Sequence, residues 1–282
     1  MHPWLAPYGL KWDPFSPSVP VEALLPTLPI EHFCRRIEQS HVREGGFALV
    51  TGEPGTGKSV VLRILADRLD RLPEVSVGAL VRPQCNIADF YRELGDLFAV
   101  PLKPHNRWAG SKILRERWQT HIDSTLVHPV LLIDEAQEMT PAVLNELRLL
   151  TSTRFDSRIL LSVVIAGDGR LTEKLRREEL LSLGSRIRIR LTLEPASREE
   201  LLACLRHLIG NAGNPKLMTP ALMDTLCEHS LGNRRVLVNT AAELLAAAAE
   251  QECPQLDEKL FLELSAQPRA AKPPAARPRH RA

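Results

Sequence analysis

Gly52-Glu53-Pro54-Gly55-Thr56-Gly57-Lys58-Ser59 decides how this chain is read. The apolar run Phe47-Ala48-Leu49-Val50 leads into it and Val60-Val61-Leu62-Arg63-Ile64-Leu65-Ala66 follows. That order is strand, glycine loop, helix, the context a Walker A motif requires. The glycines let successive backbone N–H groups turn inward on phosphate oxygens, while the new helix points its positive end at the same charge. The loop Gly52, Glu53, Pro54, Gly55, Thr56, Gly57, Lys58, Ser59 is therefore expected to bind ATP, with Lys58 on the outer phosphates and the Ser59 hydroxyl on Mg²⁺.

The second half of such a site follows downstream. Pro129-Val130-Leu131-Leu132-Ile133-Asp134-Glu135 is an apolar run ending in two carboxylates, as expected of a parallel strand buried on both faces. At its carboxyl end Asp134 is expected to hold Mg²⁺ through the water shell. Glu135 is expected to polarise the water that attacks the terminal phosphoryl group.

Working outward, Val75 to Val81, Ile159 to Ile165 and Ile187 to Leu191 read as further strands, giving five in all; the last alternates as an edge strand does. Ile159 to Ile165 leads into Asp168, which at a strand end facing the phosphate crevice is expected either to order a water near the magnesium shell or to cap the next helix. Helices are expected from Ile30 to about His41, Ile87 to Phe98, Ser111 to Thr125 with Ile113, Leu114 and Trp118 as its spine, from Pro141, and over Arg170 to Glu179. Glu194-Pro195 marks a boundary, after which apolar residues recur at helix spacing and Ser197 with Glu200 forms a capping box. Residues 1–29, rich in proline and aromatic side chains, suit an extended arm whose rings dock on the adenine pocket or on a neighbouring subunit. The expected organisation is arm 1–29, α/β body 30–195, helical lid 196–265 and disordered basic tail 266–282.

The 282 residues are 44% hydrophobic and 25% charged, enough for a sizeable core in a soluble protein. No apolar stretch approaches a membrane span and no leader follows Met1-His2-Pro3-Trp4, so a cytoplasmic protein without a membrane partner is expected. Cys34, Cys85, Cys204, Cys227 and Cys253 lack the spacing of a zinc knot or disulfide framework. The net charge of +2 is unevenly spread. Five basic residues and no acid lie in the tail, a segment for nucleic acid, a partner's acidic patch, or solubility alone. Arg82, Lys103 and Arg107 lead the most basic part of the folded body, read as a phosphate-backbone surface or, given Glu93, Asp96 and Glu116 among them, an ordinary solvated face.

Two groups of arginines suit phosphate sensing. Arg234 and Arg235 follow Gly232-Asn233 at the start of the long lid helix, from where either could reach back across the cleft. Arg186 follows Gly184-Ser185 and is a candidate for entering a neighbouring subunit's site, in competition with Arg176, Arg177 and Arg188.

GEPGTGKS, LLIDEAQ, IAGDGRL, LGSRIRIRL and HSLGNRRVL together resemble an AAA+ ATPase, which implies a P-loop NTPase fold, an α/β parallel five-stranded sheet with a C-terminal helical lid. YGLKWDPFSP and LIDEAQEMTPAVLNELRLLTS more narrowly resemble the general-secretion-pathway-A ATPases and the related transposition helper ATPases that partner DDE transposases. By that resemblance Asp168 stands near sensor 1, Arg186 near the arginine finger and Arg234 or Arg235 at sensor 2; sensor 1 is more often Asn, Thr or Ser. The secretion branch often carries a membrane segment and a peptidoglycan-binding portion after the ATPase, whereas a short basic tail follows here. The resemblance thus implies an ATP-dependent regulator that assembles as a ring or filament on double-stranded DNA, selects target sites and recruits or activates a transposase. The alternatives are an ATPase of secretion or envelope assembly, or another DNA-associated loader.

Overall fold

A computed structural model of the chain describes residues 5–100, 107–153 and 158–266. The main sheet is formed by β1 (Gly46–Gly52), β2 (Val75–Leu80), β3 (His128–Ile133), β6 (Ser162–Gly167) and β7 (Ile187–Leu193), all parallel, in the order β2-β3-β6-β1-β7. The short strands β4 (Ser152–Thr153) and β5 (Arg158–Ile159) pair with each other as an antiparallel ribbon outside it. Ile159 to Ile165 is therefore not one strand. The N–H groups of Leu160 and Leu161 both turn to the Thr151 carbonyl, which breaks the run before β6 begins.

Every residue of β6 is buried, as a central parallel strand requires, whereas β7 alternates buried and exposed at the sheet edge. Strand alternation sends Phe47, Leu49, Leu131, Ile133, Val163 and Ile165 to one face and Ala48, Val50, Val130, Leu132, Val164 and Ala166 to the other. The first face packs α4 (Ile87–Leu97), α5 (Arg107–Thr125), α6 (Pro141–Leu150) and α7 (Gly169–Leu175); the second packs α1 (Leu28–Arg36) and α3 (Lys58–Asp70). In α5, Leu114 and Trp118 are buried but Ile113 is 40% exposed and so lies off the expected spine. A π-helical turn over Ile37–His41 and the short α2 (Val42–Glu44) join α1 to β1, and α8 (Leu181–Gly184) precedes β7. Arg170 to Glu179 is helical only as far as Leu175, with a 3-10 turn over Glu178–Leu180.

The chain ends in α9 (Arg198–Ala212), α10 (Pro220–Ser230), α11 (Arg234–Glu250) and α12 (Glu258–Ala266). The first three open on side-chain caps at Ser197, Thr219 and Asn233, which satisfy N–H groups that no helix can pair internally. Their shared core also takes in Leu5, Tyr8, Leu10 and Phe15 from the opposite end of the sequence. The amino-terminal segment is compacted by two 3-10 turns rather than fully extended. Tyr8 Oη donates to the Cys253 carbonyl at 2.8 Å, and Asn214 Nδ2 to the Tyr8 carbonyl at 2.9 Å. Arg63 of α3 donates to the carbonyls of Pro17 and Val19 at 3.0 and 2.5 Å. The arm is thus tied to both the sheet layer and the terminal helices. All five cysteines are free.

Candidate nucleotide-binding site

β1 ends between β6 and the edge strand β7 and hands the chain to the glycine loop and then to α3. Gly55 and Gly57 have φ of 89° and 107°, the left-handed region that a side chain disfavours. Lys58 is buried, and its Nζ donates to the carbonyls of Gly52 and Glu53 at 2.9 and 3.2 Å, closing the loop over its own ammonium group. Thr56 Oγ1 donates to the Glu53 carbonyl at 2.8 Å. Pro54 is exposed at the turn of the loop.

The sheet brings the second motif against the first. Ser59 Oγ donates to Asp134 Oδ2 at 2.5 Å across 75 residues of sequence. A hydroxyl and a carboxylate are hard oxygen donors, so the pair fits Mg²⁺, which needs only one or two carboxylates beside phosphate and water oxygens. Among the described residues no cluster of three His, Cys, Asp or Glu side chains could hold a metal by itself. Glu135 takes a left-handed backbone, φ 50° and ψ 38°, just past the strand. Its carboxylate accepts a hydrogen bond from Gln137 Nε2, and Gln137 Oε1 in turn accepts from the Asp168 N–H at 3.3 Å.

Asp168 is the N-cap of α7, its Oδ1 accepting from Arg170 N at 2.9 Å, and it is ion-paired with the Arg170 side chain at 2.9 Å. Burial raises its carboxyl pKa, but the hydrogen bonds and charge of Arg170 outweigh this and hold it below the usual carboxylate range. Of the two roles expected for Asp168, the cap is the one formed here.

A cavity of about 250 Å³ is lined by Gly55 to Ser59 and Glu135 together with Phe15, Leu24 and Ile30 from the amino-terminal part of the chain and Cys204, Leu208 and Val238 from the terminal helices. The arm therefore forms a wall of this subunit's own cavity. Burial pushes the Cys204 thiol up. Arg234 and Arg235 also line the cavity. Arg234 Nη1 donates to the Thr56 carbonyl at 2.9 Å, and its Nη2 lies 3.7 Å from Glu200. Arg235 meets the loop through its main chain, N–H to the Gly55 carbonyl at 3.3 Å. Between Gly232 and these arginines, Asn233 Nδ2 donates to the Pro54 carbonyl at 3.1 Å.

Arg186 lies away from the cavity, Nη1 donating to the Ser182 carbonyl at 2.6 Å. Arg82 is exposed in a groove of mixed charge with Asp89, Arg92, Glu93 and Asp96. Lys103 falls outside the described residues; Arg107 opens α5, and its side chain falls outside them. The residues that sequence reasoning passed over are Gln137, Asn233 and Arg63. Only Asn233 carried a signal, as an N-cap residue ahead of a helical run.

Residues 41–175 match a family model described as an AAA domain. General secretion pathway protein A of Aeromonas hydrophila is 36% identical over 247 residues, 86% of this chain and 44% of that protein, so the chain spans less than half of its length. Among solved structures, Cdc6p of Pyrobaculum aerophilum is similar with a TM-score of 0.70 and 17% identity, over 88% of this chain and 68% of that one. The Aeropyrum pernix ORC1 protein in complex with DNA gives 0.65 and 17%, over 90% and 68%. The Thermotoga maritima RuvB Holliday junction branch migration motor gives 0.56 and 15%, over 89% and 72%. No helix among the described residues is long and apolar enough to cross a membrane. Residues 41–175 thus match the AAA domain model, and the phosphate loop at the end of β1 with the five parallel strands gives the chain the AAA+ P-loop fold that these structures share.

Proposed function

We propose that this chain hydrolyses ATP to ADP and phosphate at the glycine loop and uses the bound nucleotide to control how the lid closes and how subunits assemble. The observation that carries the reading is the 2.5 Å contact between Ser59 and Asp134, with Glu135 next in the chain and Lys58 lining the same cavity. Lys58 would exchange the carbonyls of Gly52 and Glu53 for the outer phosphates, so that its charge meets charge rather than dipoles. Mg²⁺ held by Ser59 and Asp134 would neutralise charge on the outer phosphate oxygens. Glu135 would accept a proton from the attacking water, and Arg234 and Arg235, already at the cavity, would couple phosphate loss to the lid. Asp168 is bound to Arg170, so its contribution is to orient the end of β6. Arg186, outside its own cavity, is proposed to serve the site of a neighbouring subunit.

For the partner, the proposal is double-stranded DNA, met in the cytoplasm by an ATP-bound oligomer, with a DDE transposase as the protein recruited. Support comes from the sequence phrases around the two motifs and from a fold shared with an ORC1 protein solved with DNA. The second reading, an ATPase of secretion or envelope assembly, is favoured by the 36% identity to a secretion-pathway protein. The mixed charge around Arg82 leaves that residue a weak anchor for DNA, so a track that includes it would need further basic residues of the chain.

One set of variants tests these assignments. Glu135→Gln should bind ATP as the parent does and turn over about 10²- to 10⁴-fold more slowly. Normal turnover would remove Glu135 as the base. Mixing it with Arg186→Ala should restore activity, and co-assembly without rescue would remove Arg186 from the shared site. In ATP, the Glu135→Gln protein should bind duplex DNA with a steep salt dependence and little base preference. Failure to bind at low salt, with nucleotide bound and subunits assembled, would move the assignment to the secretion reading.

A further inference from the structure

We propose that Gln137 is the positioning residue for Glu135, tying the direction of its carboxylate to the end of β6. The inference rests on the reading of Glu135 as the residue that activates water. Gln137 is 5% exposed, two residues beyond the exposed Glu135. Its two amide atoms have different partners. Nε2 donates to Glu135 Oε2, while Oε1 accepts the Asp168 N–H at 3.3 Å.

The chemistry of those partners dictates the residue. A backbone N–H can only donate, and an ionised carboxylate can only accept. The bridging group must therefore accept at one end and donate at the other, which a glutamine amide does and which neither an ionised Glu nor a Lys does. It also fixes the amide orientation, since the reversed amide would set donor against donor and acceptor against acceptor.

The surroundings hold the bridge at both ends. Lys174 Nζ donates to the carbonyls of Gln137 and Met139 at 2.5 and 2.8 Å, pinning the 3-10 turn Ala136–Glu138. Gly167 leaves the space that the amide occupies, because a Cβ there would lie 2.7 Å from Gln137 Oε1. At the other end, Glu135 sits in the left-handed region and has little backbone freedom to re-aim its side chain. Asp168 begins α7, so a shift of the β6 end or of α7 moves the acceptor end of the amide and with it the carboxylate.

The test compares Gln137→Met, which keeps length and burial but loses both hydrogen bonds, with Gln137→Glu. Gln137→Met should lower kcat about 10- to 100-fold, the range for a lost hydrogen bond to a charged group, with ATP binding within about twofold of the parent. Gln137→Glu sets a second carboxylate against Glu135. It keeps an acceptor for the Asp168 N–H but has no donor for Glu135, so kcat should fall at least as far as in Gln137→Met with ATP binding again within about twofold of the parent, a split that a purely structural role would not produce. Parental kcat in either variant, or a loss of ATP binding as large as the loss of kcat, would overturn the inference; if Gln137→Met does not fold, Gln137→Glu decides. Glu135→Gln is measured beside them. Normal turnover there removes the underlying reading, whereas slow turnover there with normal Gln137→Met removes only the role of Gln137.

Discussion

The glycine loop and the lid turn Leu231–Arg235 touch each other, yet they are built on different principles. The loop is local: Gly55 and Gly57 adopt positive φ, its lysine folds onto its own carbonyls, and its threonine ties back three residues. The lid turn depends on distant partners. Leu231 is left-handed at φ 46° and 87% exposed, and Gly232 at φ 83° fits only because it lacks a Cβ, which would come 2.8 Å from Pro195. The two meet at Gly55, where a Cβ would lie 2.1 Å from Asn233 Oδ1. One glycine thus has two jobs, giving the loop its shape and letting the lid approach. A motif residue conventionally assigned to phosphate is also half of a contact between the sheet layer and the lid.

The largest expected effect separates those two jobs. Lys58→Ala should weaken ATP binding about 100-fold, from the loss of a charge-assisted contact to phosphate, and leave the lid on the loop. Gly55→Ala should abolish binding and also loosen the lid, because the new methyl group meets Asn233 and the left-handed backbone costs about 1–2 kcal/mol. Nucleotide titration and thermal unfolding of both variants make the comparison. If Gly55→Ala melts like Lys58→Ala, the loop does not hold the lid through this glycine.

A smaller effect concerns the sheet layer alone. His41 is 2% exposed in the π-helical turn, its Nε2 3.3 Å from the Val163 carbonyl, and its carbonyl accepts from Ser162 Oγ. Burial holds its pKa down at about 4, against a partly offsetting hydrogen bond to Val163, with Arg188 lowering it further. The unfolded chain takes up a proton near pH 6.5 that the folded chain refuses until about 4. The stability from His41 is therefore complete above pH 6.5 and lost as pH falls through that window, by at most on the order of 3 kcal/mol. Denaturant midpoints across this range should show a slope that His41→Gln flattens. An unchanged slope would assign the acid sensitivity to carboxylates instead.

How much of this was legible in the sequence follows the same division. The glycine loop, the apolar strand ending at Asp134 and the capping box at Ser197 are local patterns, and each lies where its own residues put it. The apolar run from Ile159 to Ile165 misled because hydrophobicity does not reveal that Leu160 and Leu161 spend their N–H groups on Thr151. Ile113 misled because Leu114 and Trp118, four residues apart, share one helix face, and the residue before Leu114 lies about 100° round from it, toward solvent. Arg63 carried no signal, and Gln137 entered only as the last residue of LLIDEAQ with no role attached: their partners are the carbonyls of the amino-terminal arm and the end of β6, which no spacing along the chain brings near. The arm was legible in composition as rings that must dock, with the nucleotide cavity one of two places offered; Phe15 lines that cavity, whereas nothing pointed Tyr8 to the terminal helices.

The smallest effect bears most directly on the lid. Asn233 caps α11 by accepting from the N–H groups of Arg235 and Val236 at 3.0 and 3.2 Å, and it donates to Pro54 of the loop. Losing the cap costs about 1 kcal/mol, and losing the bond to Pro54 about as much again. Asn233→Ala should therefore lower stability by about 2 kcal/mol, and Asn233→Asp, which keeps the cap but cannot donate to a carbonyl, by about half of that. The pair divides the helix contribution from the contact with the loop. In the Asp variant the lid should exchange amide protons faster along α11 while the sheet strands keep their protection. With ATP bound, the added negative charge beside the phosphates should also weaken affinity, and Asn233→Ala, lacking that charge, should weaken it less. Equal protection of α11 in the parent and the Asp variant would mean that Arg234, through its bond to the Thr56 carbonyl, holds the lid on the loop without Asn233.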